Sequence, residues 1–327
     1  MNNELTGIIF SYDRAMQLDG LLRSFYLHCL DPHLVELTVL YKVSDEHNQA
    51  QYLTLIHDYP QVSFVLQNNF YTDVIDLLTK RTSNQSSNSR SSLISFVYHF
   101  STKYNRLRIF DTRFVQWLLS KLLVKNYSYR YILFLVDDAI FTYDFSLQSV
   151  ITQLQNHPKA LGFSLRLGKN TTYCYSLQTN QVLPEFESVS EKILKFNWTT
   201  AELDFNYPLE VSSSMYRTKH ILQLLFGEPF GNPNGFEGVI ASQASQFLKT
   251  SPNLLCLENS VAFCNPINMV QKEIKNRAGT SISYSAQSLS QFFDDGKRID
   301  VKAYNQFIAN GCHQEVDLKF IILKSLN

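Results

Sequence analysis

Tyr131-Ile132-Leu133-Phe134-Leu135-Val136-Asp137-Asp138 is the stretch that decides the fold. Its unbroken apolar run predicts a short strand at the centre of a sheet, covered on both faces. Two carboxylates follow at once. Such a pair is costly at the end of a buried strand unless it is solvated, capped or bound to a cation. In open α/β sheets, ligands bind at the carboxyl ends of strands. Hard divalent cations take carboxylate oxygens together with substrate phosphates. The residues alone leave two readings of Asp137 and Asp138: a metal–diphosphate site, or caps for the turn or helix that follows.

Upstream, residues 7–12 (GIIFSY), 37–43 (LTVLYKV) and 62–66 (VSFVL) read as strands. Between them, residues 13–26 and 47–57 read as helices, the first with Met16, Leu18, Leu21, Leu22 and Phe25 at helical spacing. Strand–helix alternation of this kind predicts a parallel sheet with crossover helices. Residues 111–125 form a strong helical pattern, with Phe114, Val115, Leu118, Leu119, Leu122 and Leu123 in one stripe. The polar run 81–92 (RTSNQSSNSRSS) reads as a surface loop. Downstream, 146–157, 219–226 and 238–249 read as helices, and 161–167 and 209–216 as strands. The last 60 residues are less periodic and read as a tail packed on the core.

The chain has 327 residues, 29 basic and 29 acidic, and so no net charge. That argues against a general nucleic-acid binder, which carries a basic surplus. With 45% apolar and 13% aromatic residues it can bury a full core. No apolar run approaches the ~20 residues of a spanning helix, and the start shows no signal-peptide pattern. The expectation is a cytoplasmic protein without a transmembrane segment; peripheral membrane contact stays open. Cys29, Cys174, Cys256, Cys264 and Cys312 are scattered without a CxxC pair, which predicts free thiols rather than a zinc site or a disulfide framework. Phosphate-loop, dinucleotide-binding, zinc-protease and nucleophile-elbow motifs are all missing from the sequence.

Three segments carry a resemblance. Phe10-Ser11-Tyr12-Asp13-Arg14, followed by a helix with Leu21-Leu22-Arg23-Ser24, resembles the opening of family-two glycosyltransferases of the GT-A fold, with Asp13 in place of the usual Asn. The segment 133–138 resembles the acidic metal motif of that family, with Val136 in the first acid's place. Asn234-Gly235-Phe236-Glu237-Gly238 stands where the family carries its acceptor motif, with Gly238 replacing the second acid. Order and spacing agree over roughly residues 5–250.

The resemblance implies a GT-A-like, mostly parallel sheet flanked by helices. It implies one domain over residues 1–265, with a donor half (1–145) and an acceptor half (146–265), and a C-terminal extension (266–327). It implies metal-dependent transfer of a sugar from a nucleotide-diphosphate donor to a carbohydrate or other hydroxyl acceptor, with inversion and with Mn²⁺ or Mg²⁺ as cofactor. By the same resemblance, Tyr12, Asp45, Arg113 and Asp137 would hold the nucleotide-sugar, and Asp138 would ligate the metal. Around Trp198 and Asp204, aromatic and polar groups alternate, which suits an acceptor sugar or, equally, a loop packed on the core. Ser164 and Arg166 would face the diphosphate, and His313 is a weaker candidate metal ligand. Glu237 is the candidate general base, and the helix start is expected to hold its pKa down. The missing acids keep two alternatives open: a silent nucleotide- or carbohydrate-binding protein, and a nucleotidyltransferase.

Overall fold

The computed structural model describes residues 4–79, 130–225, 228–270, 277–279 and 281–322. The expected helix at 111–125, the polar run 81–92 and Arg113 lie outside the described residues. Strands β1 (Leu5–Tyr12), β2 (Val35–Lys42) and β3 (Ser63–Leu66) alternate with α1 (Ala15–His28) and α2 (Glu46–Asp58), as the periodicity predicts; α3 (Phe70–Thr79) follows. Then come β4 (Tyr131–Val136), β5 (Ala139–Phe141), α4 (Leu147–Asn156) and β6 (Ala160–Ser164). Short strands follow: β7 (Tyr173–Cys174), β8 (Thr179–Asn180), β9 (Glu187–Ser190), β10 (Ile193–Asn197) and β11 (Ser213–Arg217). The remainder is α5 (Thr218–Leu224), α6 (Pro233–Ser242), β12 (Asn253–Leu257), β13 (Ala262–Cys264), α7 (Ala286–Asp294), β14 (Lys297–Ile299) and β15 (Phe320–Ile322).

Among the described residues, nine strands form one sheet in the order β3-β2-β1-β4-β11-β6-β12-β10-β9. It is an α/β sheet, parallel from β3 to β4. Beyond β4 it is mixed: β11 runs antiparallel to both neighbours, β12 is parallel to β6, and β10 and β9 are antiparallel again. Strand β4 is central and covered on both faces. Tyr131, Leu133 and Leu135 enter one core cluster, while Ile132 and Phe134 enter the other. Each such fully buried side chain contributes about 1.5–3 kcal/mol.

Three expected elements shift for local reasons. The strand expected at 161–167 stops at Ser164, because Leu165 turns to exchange backbone hydrogen bonds with Ser213, Val261 and Ala262. The strand expected at 209–216 begins only at Ser213, because the Glu210 side chain accepts from the Ser212 and Ser213 N–H groups and folds the chain into a bend. The helix expected at 238–249 starts at Pro233, capped by Asn232 Oδ1 on the Gly235 N–H at 2.8 Å, and ends at Ser242. An Asn cap followed by Pro at the first helical position is a strong start signal.

The C-terminal residues pack against α1. A Cβ on Gly20 would stand 2.9 Å from Ile299 Cδ1, so a larger residue here would make that side-chain end shift. Buried Asp19 accepts from Tyr59 at 2.6 Å and faces Arg23 and Arg298 at 3.8 and 3.9 Å. Burial raises the Asp19 pKa, and the two arginines oppose that. Strand β13 pairs antiparallel with β5 and brings the chain back to the carboxyl edge of β4. No described helix is long and apolar enough to cross a membrane.

Candidate active site

Asp137 and Asp138 form the turn between β4 and β5, beside the end of β1. Asp13 leaves β1 in a left-handed conformation (φ 52°), which Asp tolerates better than most residues. That turn aims Arg14 back across the edge. Its Nη1 donates to Asp137 Oδ1 at 2.7 Å and to Asp138 Oδ2 at 3.2 Å. Its Nε and Nη2 donate to the side-chain and backbone oxygens of Asn268 at 3.1 and 2.6 Å. Asn268 is itself held by Gln17 at 3.2 Å and donates to the Tyr284 carbonyl at 2.6 Å. The second oxygen of Asp137 accepts from Ser11 Oγ at 2.9 Å and from the Tyr12 N–H at 3.4 Å. Tyr52 completes the group at 2.5 Å from Ser11 Oγ. Burial pushes the Asp137 carboxyl above the usual range, while Arg14 and the Ser11 hydroxyl pull it down.

Tyr12 stands at the end of β1 with Lys42 Nζ 5.2 Å from its ring centre. Asp45 caps α2, accepting from the Asn48 N–H at 2.7 Å, and these hydrogen bonds hold its pKa down. Arg113 is outside the described residues.

The second group gathers where β6, β11 and α6 meet. Glu237 Oε1 accepts from the Tyr207 hydroxyl at 3.1 Å and Oε2 from the Val211 N–H at 3.0 Å. Its pKa is raised, not lowered as expected from the helix start. Burial dominates, Arg166 opposes it and Glu210 adds to it. The physical reason is burial, and Glu237 lies past the first turn of α6, where the helix-terminal field is too weak to offset it. Arg166 is 5% exposed, and its Nε lies 3.6 Å from Glu210 Oε2 without a hydrogen bond. Ser164 Oγ and Ser213 Oγ are also buried and unpartnered. Glu210 is enclosed by Ser212, Ser213 and Ser214, all donating to it. Burial raises the pKa of the Cys264 thiol on β13, on which Asp138, Arg166 and Glu210 also act.

Trp198 belongs to neither group, while Asp204 lies close enough to Arg166 to act on its charge. Trp198 is 4% exposed in the second core cluster, with its indole N–H on the Ser251 carbonyl at 2.8 Å. Asp204 accepts from Gln181 at 3.2 Å and from the Cys174 thiol at 3.6 Å. His313 pairs through its backbone with Cys264 and packs near the Tyr175 ring. Burial and Arg166 push its pKa down to about 3, so its imidazole is neutral above that pH.

The acidic pair is already hydrogen-bonded to Arg14 and Ser11 rather than open to a dication. Among the described residues, no group of three His, Cys, Asp or Glu side chains converges as metal ligands. Of the four oxygens of Asp137 and Asp138, three accept hydrogen bonds, two of them from a guanidinium. Sequence reasoning missed Glu210 and Asn268. Glu210 carried one usable signal, a charged residue inside an apolar strand pattern; Asn268 lies in the aperiodic tail and carried none.

No family model matches the chain. It is 26% identical over 330 residues to the bifunctional glycosyltransferase pgtA of Dictyostelium discoideum, an alignment that covers 93% of this chain. Among solved structures it resembles S. aureus TarS 1-349 in complex with UDP-GlcNAc, at 11% identity, 79% and 57% coverage of the two chains and a TM-score of 0.40. It also resembles the mannosyltransferase PcManGT from Pyrobaculum calidifontis in complex with GDP-Man and Mn²⁺, at 10% identity, 77% and 53% coverage and a TM-score of 0.38. The resemblance read from the three sequence segments agrees with the pgtA likeness, and the chain spans 37% of that relative's length.

Proposed function

We propose that this chain transfers a sugar, of hexose type, from a nucleoside-diphosphate donor to a hydroxyl acceptor, with inversion at the anomeric carbon. The observation that carries the reading is the pairing of two unlike groups along the sheet's carboxyl edge: the Arg14–Asp137–Asp138 cluster and the Glu237 carboxylate. The first group would receive the nucleotide. Asp138 keeps one carboxylate oxygen for a donor hydroxyl, and the Tyr12 ring stands beside it at the end of β1. Glu237 would take the acceptor's proton as the acceptor oxygen attacks the anomeric carbon. The anomeric C–O bond breaks as the new one forms, and its electron pair leaves on the diphosphate. A raised pKa suits that base, because proton affinity near working pH favours transfer. Mn²⁺ or Mg²⁺, expected from the resemblance at Asp138, is not called on in this scheme, since Arg14 already bonds one oxygen of that carboxylate.

A silent binder remains the second reading. It is favoured by one observation: both Glu237 oxygens are already bonded within the protein. A thermal-shift panel of nucleotide-sugars, paired with detection of released nucleoside diphosphate, tests both. A ligand at 100 times its Kd stabilises by about 2.7 kcal/mol. Stabilisation with slow donor hydrolysis supports the transferase. Stabilisation without hydrolysis, with or without candidate acceptors, supports the silent binder. No stabilisation by any nucleotide-sugar contradicts both.

A further inference from the structure

We infer that Arg14 is the resident cation of the acidic pair, so that nucleoside-diphosphate binding at this edge recruits no divalent ion to Asp137 or Asp138. The inference rests on the donor reading above and departs from the Mn²⁺ or Mg²⁺ that the sequence resemblance implied.

The geometry is that of a built-in counter-ion. Arg14 Nη1 bridges the two carboxylates at 2.7 and 3.2 Å. The guanidinium carries a permanent charge and is planar and forked, so it can bridge two acids and hold a third partner at once. Here the third partner is Asn268, which accepts from Nε and Nη2 and is tied in turn to Gln17 and Tyr284. All three guanidinium nitrogens are therefore engaged, on a side chain that is 11% exposed. Swinging it aside would break four charge-assisted hydrogen bonds to protein atoms.

A dication gains little by that exchange. Asp137 is spent on Arg14, Ser11 and Tyr12, which leaves Asp138 with one free oxygen beside a fixed positive charge. Mg²⁺ also gives up its waters reluctantly. The sequence fits the same account. Val136 stands where the family has a further acid, and one arginine charge offsets part of what two carboxylates would otherwise present to an incoming diphosphate. Asn268, in the tail, acts as a positioning residue through Arg14.

Calorimetric titration of the wild-type chain with UDP and with GDP, in EDTA and in Mn²⁺, tests this directly. The expected result is one dissociation constant, unchanged within about threefold by the metal. Mn²⁺ electron paramagnetic resonance should show no ion on the protein beyond that held by the nucleotide alone. Arg14→Gln leaves the two carboxylates without their counter-charge and should weaken binding of the anionic nucleotide in EDTA by about 10- to 100-fold. It should also open a protein Mn²⁺ site that wild type lacks. If Arg14→Gln does not fold, the wild-type titrations alone decide. Wild-type binding that is lost in EDTA and restored by Mn²⁺ overturns the inference and leaves the donor reading standing. Absence of nucleotide binding in every condition overturns the donor reading itself.

Discussion

The two ends of the candidate site differ in how fully their polar groups are engaged. At the β1–β4 edge, Asp137 accepts on both oxygens and all three guanidinium nitrogens of Arg14 donate. Around β6 and β11, Arg166 Nε, Ser164 Oγ and Ser213 Oγ are buried with no hydrogen-bond partner. A satisfied network is rigid and positions what binds it. Buried groups left unpaired are costly, and a native fold that keeps them invites an explanation by function or by solvent. The contrast supports the proposed division, with holding in the first region and chemistry in the second.

The largest expected effect breaks the first region. Asp137→Asn leaves Arg14 buried with half its pairing gone, and removing one partner of a buried ion pair costs about 3–5 kcal/mol. Chemical denaturation should show that loss, with nucleotide affinity falling alongside. A variant as stable as wild type would mean that the edge is less preorganised than its hydrogen bonds indicate.

The next effect sharpens the second region. Arg166 holds the Glu237 pKa down against burial. A base works when ionised, so transfer should fall as pH drops through that pKa. Arg166→Gln removes the opposing charge, raises the pKa further and should move the acid limb of the rate profile to higher pH. An unmoved limb would place the titrating group elsewhere.

The smallest effect concerns Asp45, at the margin of the first region. As an N-cap its loss to Ala should lower the melting temperature by a few degrees and leave nucleotide affinity unchanged. Weakened nucleotide binding with unchanged stability would instead give Asp45 the base-edge role read from the sequence.

The two regions were not equally legible in the sequence. Local periodicity sufficed for β1, α1, β2 and β4, where apolar spacing and propensity agree. Asp13 and Arg14 stood out as a strand-to-helix turn, and the acidic pair as an expense at a buried strand end. The partner of that pair did not. Arg14 and Asp137 are 123 residues apart and Arg14 and Asn268 are 254 apart, and no local pattern encodes such contacts. Trp198 stayed open for a related reason: an aromatic in a polar loop reads equally as a sugar platform or as packing on the core, and its burial in the second core cluster is a tertiary outcome. Glu237 was visible as a residue, yet the sign of its pKa shift was not, because burial by distant elements outweighs the helix start that the sequence shows.

The most direct test of the division between holding and chemistry is Glu237→Gln, with donor dissociation constant and transfer rate measured side by side. The account predicts a rate lower by about 10²–10⁴, the usual cost of losing a general base, with donor affinity within about twofold of wild type. A variant that keeps its rate per folded molecule, or one that loses donor affinity in step with rate, would contradict it.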